Sequence, residues 1–245
     1  MCVLASVAAL GLSPARAVAG TFSITPVRVD LSVKAGTGVV TLRNQEDQPV
    51  VVQAQAHSWQ QVDGVDQLAP TRDVLVTPAV FTVPPKGAQV VRVALRREAD
   101  AATELSYRLV LTEVPPQAAP GFTGLNFALQ MSLPVFVAAR AKTTPDLQWQ
   151  ARLHDDGLLV VTAHNMGSEH ARVLDLEIAP LGGNDTAIRP TGAAYVLPGQ
   201  SRSWNVTRDE RKDNNDDHDA AWRRLRVKGT AENGDFAAEL TVTPE

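Results

Sequence analysis

Residues 125–136, LNFALQMSLPVF, decide how the rest of the chain is read. Large apolar side chains fall at Leu125, Phe127, Leu129, Met131, Leu133 and Val135, with Asn126, Gln130 and Ser132 between them. A period of two marks a β-strand, because successive side chains leave a strand on opposite faces. The preceding segment 114–124, VPPQAAPGFTG, is too rich in proline to continue a ladder and reads as a long loop that delivers the chain to a sheet edge. Pro134 has no N–H, which suits a strand with one open side. A row of bulky apolar groups along an open edge invites aggregation unless the edge has a partner.

Working outward, the sequence on the N-terminal side is strand after strand. FSITPVRVDLSV (22–33), GVVTLRNQ (38–45), VVVQAQAHSW (50–59), QVVRVALRR (89–97) and LSYRLVLTEV (105–114) each hold β-branched or alternating residues. Turn chemistry separates them at Gly36–Gly38, Glu46–Pro49, Asp63-Gly64 and Pro84–Gly87. The one helix-like window, Glu98–Leu105, is too short to form a layer. A polar break at 138–146, AARAKTTPD, is followed by a second strand series from LQWQARLHD (147–155) to DFAAELTVTP (235–244). Its hairpin turns are Asp155-Asp156-Gly157 and Asn233-Gly234-Asp235. Many short strands at regular spacing predict an all-β chain of two antiparallel sandwiches. The expected division is a leader at 1–19, a first domain at 20–140 carrying the edge strand, and a second at 141–245.

The leader is read from MCVLASVAALGLSPARAVA. An apolar run, too short to cross a bilayer as a helix, ends in the small-x-small pattern cut on export. The only cysteine, Cys2, leaves with it, so the mature chain has no disulfide and must rely on its core. The formal charge of −4 becomes −5 once Arg16 is removed. Export without cysteines points to the periplasm, with no insertion in a membrane. The charges are mixed in sign and form no basic stripe, which argues against nucleic acid.

Catalytic and metal patterns are missing from the sequence. His57, His154, His164, His170 and His218 are scattered without ligand spacing, and there is no Gly-rich phosphate loop or nucleophile elbow. The run Asp209–Asp219, DERKDNNDDHD, lacks the alternating ligands and glycine of a calcium loop and reads as a solvated loop. Trp59 reads as a core or loop anchor. The expectation is a protein that is not an enzyme and uses no cofactor.

The order of several short motifs resembles the PapD-like periplasmic chaperones of chaperone–usher pilus systems. These are Pro26-Val27-Arg28, Arg43-Asn44, Val91-Arg92-Val93, Tyr107-Arg108-Leu109, Glu113–Pro116 and Ser132–Phe136. His57–Gln60 and Leu68–Asp73 are similar to the archaic branch of that family. The resemblance covers Thr21 to Glu245. It implies two immunoglobulin-like β-sandwich domains set at an angle around a cleft, and it gives the open edge a task. A pilus subunit lacking its last strand would receive the chaperone's strand in its groove, through Leu125, Phe127, Leu129 and Met131. Burying four such side chains is worth roughly 6–12 kcal/mol before ordering costs. An outer-membrane usher would then take the subunit onward.

The resemblance also implies site residues. A basic pair in the cleft holds the subunit's terminal carboxylate, and its first member matches Arg28. The lysine expected on the donor strand has no match, because that position reads Pro134. Arg108 is the expected substitute, since it alternates out of the face of Tyr107, Leu109 and Leu111. Arg92, Glu104 and Glu232 match a charge network expected to fix the interdomain angle. An uncovered donor edge further predicts self-association of the free chain. Two other readings stay open at this point, a secreted immunoglobulin-like adhesin or pilus subunit and an exported hydrolase on a sandwich scaffold.

Overall fold

The computed structural model describes residues 22–115, 127–155, 157–181, 187–206 and 222–244. The leader 1–19, Leu125 with most of the loop before it, and the run 209–219 lie outside these residues. Every regular element among the described residues is a β-strand.

Ten strands build the first domain: β1 (Phe22–Thr25), β2 (Val29–Leu31), β3 (Thr37–Asn44), β4 (Val50–Val62), β5 (Val65–Pro70), β6 (Val74–Thr77), β7 (Val80–Val83), β8 (Ala88–Leu95), β9 (Leu105–Val114) and β10 (Gln130–Val137). One sheet runs β1-β3-β8-β6. The other runs β2-β10-β9-β4-β5, with β7 also beside β4. Alternation does the sorting, as in β4, where Val50, Val52 and Ala54 are buried and Val51, Gln53 and Gln55 face out. The core between the sheets is mostly valine and leucine, with Leu42, Leu109 and Leu111 fully enclosed.

The stretch 22–33 is not one strand, as its pattern suggests, but two. β1 pairs with β3 in one sheet, while β2 pairs parallel with β10 in the other. The break falls at residues 26–28, where Pro26 offers no N–H to a ladder. This switch delivers Arg28 to the outer face of the second sheet, just before β2.

The second domain holds β11 (Leu147–Leu153), β12 (Leu159–Asn165), β13 (Ala171–Pro180), β14 (Ala194–Val196), β15 (Ser201–Val206), β16 (Arg224–Ala231) and β17 (Gly234–Pro244). They follow the order β14-β13-β16-β17-β11-β12-β15, and β17 belongs to both leaves. It pairs antiparallel with β16 at Gly234–Thr241 and parallel with β11 at Val242–Pro244. Trp149 stacks against Trp204 and Phe236 at ring distances of 5.6 and 5.1 Å beside the Val161, Leu225 and Val227 core.

Each domain has a buried asparagine at the end of a strand that satisfies the loops around it. Asn44 donates from Nδ2 to the carbonyls of Gln48 and Pro84 and accepts from the Glu46 amide. Asn165 donates to the carbonyls of Glu169 and Val196 and accepts from the amides of Asp146 and Gly167. Asp146 ends the connection between the domains, so Asn165 also holds the linker. Truncation takes the partner from several main-chain groups, most of them part-buried, and costs about 1–3 kcal/mol for each one that water cannot reach. Asn44→Ala and Asn165→Ala are each expected to lower unfolding free energy by about 2–4 kcal/mol in urea titrations, with an unchanged m value.

Candidate functional site

β10 is paired completely on one side and barely on the other. All eight of its residues face β9, from Gln130 opposite Thr112 to Val137 opposite Leu105. On the other edge β2 covers only Val135–Val137, so that among the described residues no strand lies beside Gln130–Pro134 and this stretch presents an open side. Pro134 lies in the open stretch and has no N–H to leave unpaired. The odd-numbered side chains form a row that starts inside the core and runs out of it. Leu133, Val135 and Val137 are buried, Met131 packs at the rim, Leu129 is 39% exposed and Phe127 is 84% exposed. The chain holds strand-like contact beyond the start of β10, because the Glu113 amide donates to the Leu129 carbonyl at 2.9 Å. The Leu129 amide in turn donates to the Glu113 carboxylate at 3.2 Å. Of the four expected donor side chains, Phe127, Leu129 and Met131 share this row, and Leu125 lies outside the described residues.

The opposite face of β10 meets the second domain. Phe136 lies flat on His170 with ring centroids 3.7 Å apart, and 5.4 Å from Tyr195. Trp59 packs edge-on to Tyr195 at 5.5 Å, with Leu197 completing a small apolar seam. Trp59 is therefore an anchor between domains. The sequence did not reveal Gln61, which is buried at the same seam. Its Nε2 donates to the Tyr195 carbonyl and to Asp66, its Oε1 accepts from the Leu197 amide, and its own amide donates to Gln200 Oε1. Nearby, the Gly64 carbonyl at the β4–β5 tip accepts from the amide of Ser203 on β15. Gly64 has φ +76, and a Cβ there would clash with the side chain of Ser203. The Asp63-Gly64 turn was legible in the sequence, but the surface it leans on was not.

Between the domains, beside Phe136, lies a cavity of about 360 Å³. Arg28, Asp30 and Glu104 line it from the first domain, and Glu169, His170, Arg172 and Glu232 from the second. Arg28 Nη1 donates to both carboxylate oxygens of Glu232 at 2.8 Å, and its Nε donates to Asp30 at 3.0 Å. Burial opposes the Arg28 charge, but the bonds to Glu232 and Asp30 outweigh it and raise the guanidinium above its usual value. The Arg28 hydrogen bond holds the Glu232 carboxyl below the usual carboxylate range, against a smaller desolvation cost. Glu104 accepts from the His170 amide at 3.2 Å and sits 2.7 Å from His170 Nδ1.

The expected site residues are thus distributed differently from their pattern in the sequence. Arg28 and Glu232, assigned there to separate tasks, form one ion pair across the domains. Glu104 reaches the second domain through His170. Arg92 lies elsewhere, exposed on β8 opposite Val39 and Thr77, and among the described residues no ion pair joins it to Glu104. Arg108 is not on the cavity wall with Arg28. Its guanidinium lies 3.6 Å over the Trp59 ring and 5.8 Å from that of Tyr195. Desolvation lowers its pKa, with Asp66 acting in the opposite sense. Among the described residues no group of three His, Cys, Asp or Glu side chains could hold a metal ion.

Residues 21–141 match the family described as pili and flagellar-assembly chaperone, PapD N-terminal domain. No curated protein matches the chain significantly in sequence. Among solved structures, the fold is similar to a chain from the CsuC-CsuE chaperone-tip adhesion subunit pre-assembly complex of archaic chaperone-usher Csu pili of Acinetobacter baumannii. The TM-score is 0.67 at 18% identity, covering 91% of this chain and 99% of that one. The Pseudomonas aeruginosa CupB2 chaperone gives 0.56 at 19% identity, covering 90% and 100%. A chain of the Salmonella enterica SafA pilin complex with the SafB chaperone gives 0.60 at 15%, covering 91% and 98%. At these identities the likeness is one of fold.

The Arg28–Glu232 pair has a defined pH window. A depressed carboxyl pKa contributes stability that is present above the ordinary Glu value and is lost as pH falls through the lower folded value. With Glu232 44% exposed, solvent screening limits the contribution to about 1 kcal/mol or less. Carboxyl-detected NMR titration is expected to show Glu232 ionised throughout the neutral range. Its protonation should come below that of a typical glutamate, and Arg28→Ala should return it to the ordinary value.

Proposed function

Through its N-terminal domain the chain belongs to the PapD family of pili and flagellar-assembly chaperones, and from that premise we propose that it binds pilus subunits in the periplasm by donating β10 and hands them to an outer-membrane usher. The observation that carries this reading is the open edge at Gln130–Pro134, with Leu129 and Phe127 exposed in line with the buried Leu133 and Val135. A strand already held by β9 meets a pilin groove with its backbone ordered in advance, which lowers the entropy cost of adding a strand. The same ladder fixes register, so Phe127, Leu129 and Met131 enter successive positions of the groove. The driving force is burial of apolar surface, without nucleotide or metal chemistry.

The leader at 1–19 supports export, and Leu125 extends the proposed donor row. The domains are assigned as 20–140 and 141–245. The rival reading as an adhesin or pilus subunit requires an incomplete sandwich, whereas both described sandwiches close around continuous cores. The hydrolase reading finds support in no nucleophile–base–orienter constellation of the described cleft.

Co-expression with a pilin from the same operon tests the proposal. Wild type is expected to co-purify stoichiometrically from the periplasm. Leu129→Glu should lose the complex while keeping its own unfolding transition, because a charge in the groove costs several kcal/mol. A Leu129→Glu chain that still binds normally would sink the donor-strand reading. When no pilin is present, a second copy is expected to cover the open edge. Sedimentation should then show concentration-dependent association, weakened in Phe127→Glu. A monomer at high micromolar concentration contradicts this second expectation.

A further inference from the structure

β9 carries an acid where its core face runs out. Tyr107, Leu109 and Leu111 are buried on that face, and Glu113, next in the alternation, is half-buried at its open end. It stands beside the buried Val52 of β4 on one side. On the other side, one step beyond the first pair of β10, it lies opposite Leu129. A carboxylate drawn part-way out of water needs a hydrogen-bond donor. The one it meets among the described residues is the Leu129 amide, at 3.2 Å.

The main chain makes this contact unusual. In a hydrogen-bonded antiparallel pair, two opposite residues exchange both of their N–H···O bonds. Glu113 and Leu129 make one of them, from the Glu113 amide to the Leu129 carbonyl at 2.9 Å. The second is taken over by the Glu113 side chain, which accepts from the Leu129 amide in place of the main-chain carbonyl. Glu113 thus grips both polar main-chain groups of Leu129, one residue before β10 begins. Beyond that point Phe127 projects into solvent and, among the described residues, has no such tie.

We propose that Glu113 is a positioning residue for strand donation: its carboxylate fixes Leu129 in the extended row and so sets how far the donor strand is ordered before a pilin arrives. The inference rests on the chaperone reading above. With its backbone tied to β9 at both polar groups, Leu129 keeps its side chain in line with Met131 and Leu133. A pilin groove therefore meets Met131 and Leu129 as a rigid pair, and Phe127 orders last. The grip leaves the open edge free, because the main-chain groups offered there are those of Gln130 and Ser132, which point away from β9. A charge-assisted bond to the amide is stronger than the neutral ladder bond it replaces. Ordering a residue ahead of binding removes that entropy cost from association.

The test uses the full mature chain and the operon's pilin. NMR hydrogen exchange reads the Leu129 amide in the free chain, and stopped-flow mixing reads the association rate with pilin refolded by dilution. Glu113→Ala should speed exchange at Leu129 about tenfold, the size of one charge-assisted hydrogen bond, and slow association by a similar factor. Glu113→Gln, whose amide oxygen still accepts, should recover part of both losses. Exchange at Met131, deeper in the ladder, should stay unchanged in each variant, which shows that β9 and β10 remain paired. Unchanged exchange at Leu129 in Glu113→Ala means that the main-chain carbonyl suffices, and it overturns the proposal. Faster exchange with unaltered association does so too, because the contact then shapes the free chain without serving capture. Either result can occur while Leu129→Glu abolishes the pilin complex, so the donor-strand reading would survive it. Binding that persists in Leu129→Glu removes the donor-strand reading itself, whatever exchange the Glu113 variants show.

Discussion

The unequal pairing of β10 is the constraint on which the rest of the molecule depends. One edge is tied to β9 over eight residues, and the other is covered by β2 over three. A strand held on one side only stays extended and in register without its second partner. Its side chains therefore travel from a closed core at Val137 to open solvent at Phe127 while remaining on one face. Extending β2 toward the N-terminus would cover that edge. The switch at Pro26 prevents this by sending the preceding segment, β1, to the other sheet.

The same strand fixes the second domain. Phe136, on the face opposite the row from Phe127 to Val137, stacks on His170 and contacts Tyr195. Trp59 and Leu197 enclose it, and Gln61 satisfies the main chain of the second domain at its border. One strand thus carries a row of apolar groups out of the core on one face and anchors the cleft with the other. The linker adds rigidity, since the Ala138 and Arg140 amides bond back to Leu31 and Asp100 of the first domain. The charged groups follow from this packing, because holding the two domains against Phe136 brings Arg28 within reach of Glu232.

Much of this was legible in the sequence. The period of two in 125–136 marks the edge strand, and Pro134 marks its open side. Tyr107, Leu109 and Leu111 mark the core face of β9, which turns Arg108 outward as expected. The departures share one cause. Residues 22–33 alternate as a single strand would, but alternation reports which face a side chain takes and says nothing of which sheet the strand joins. Arg92, Glu104 and Glu232 were grouped by motif position, yet the distances between them depend on how two sandwiches lean together.

Sequence alone determined the all-β architecture and the apolar row that runs along the edge strand. These follow from local rules: side-chain alternation, turn residues and proline's missing donor. Only the tertiary structure decided that Arg28 meets Glu232, that Arg108 is spent on Trp59, and that Arg172 faces the cleft with an unsatisfied N–H. Those facts join residues up to 204 positions apart. Their distance is set by the seam around Phe136, and a contact fixed by packing between domains leaves no periodic trace in either partner's own sequence.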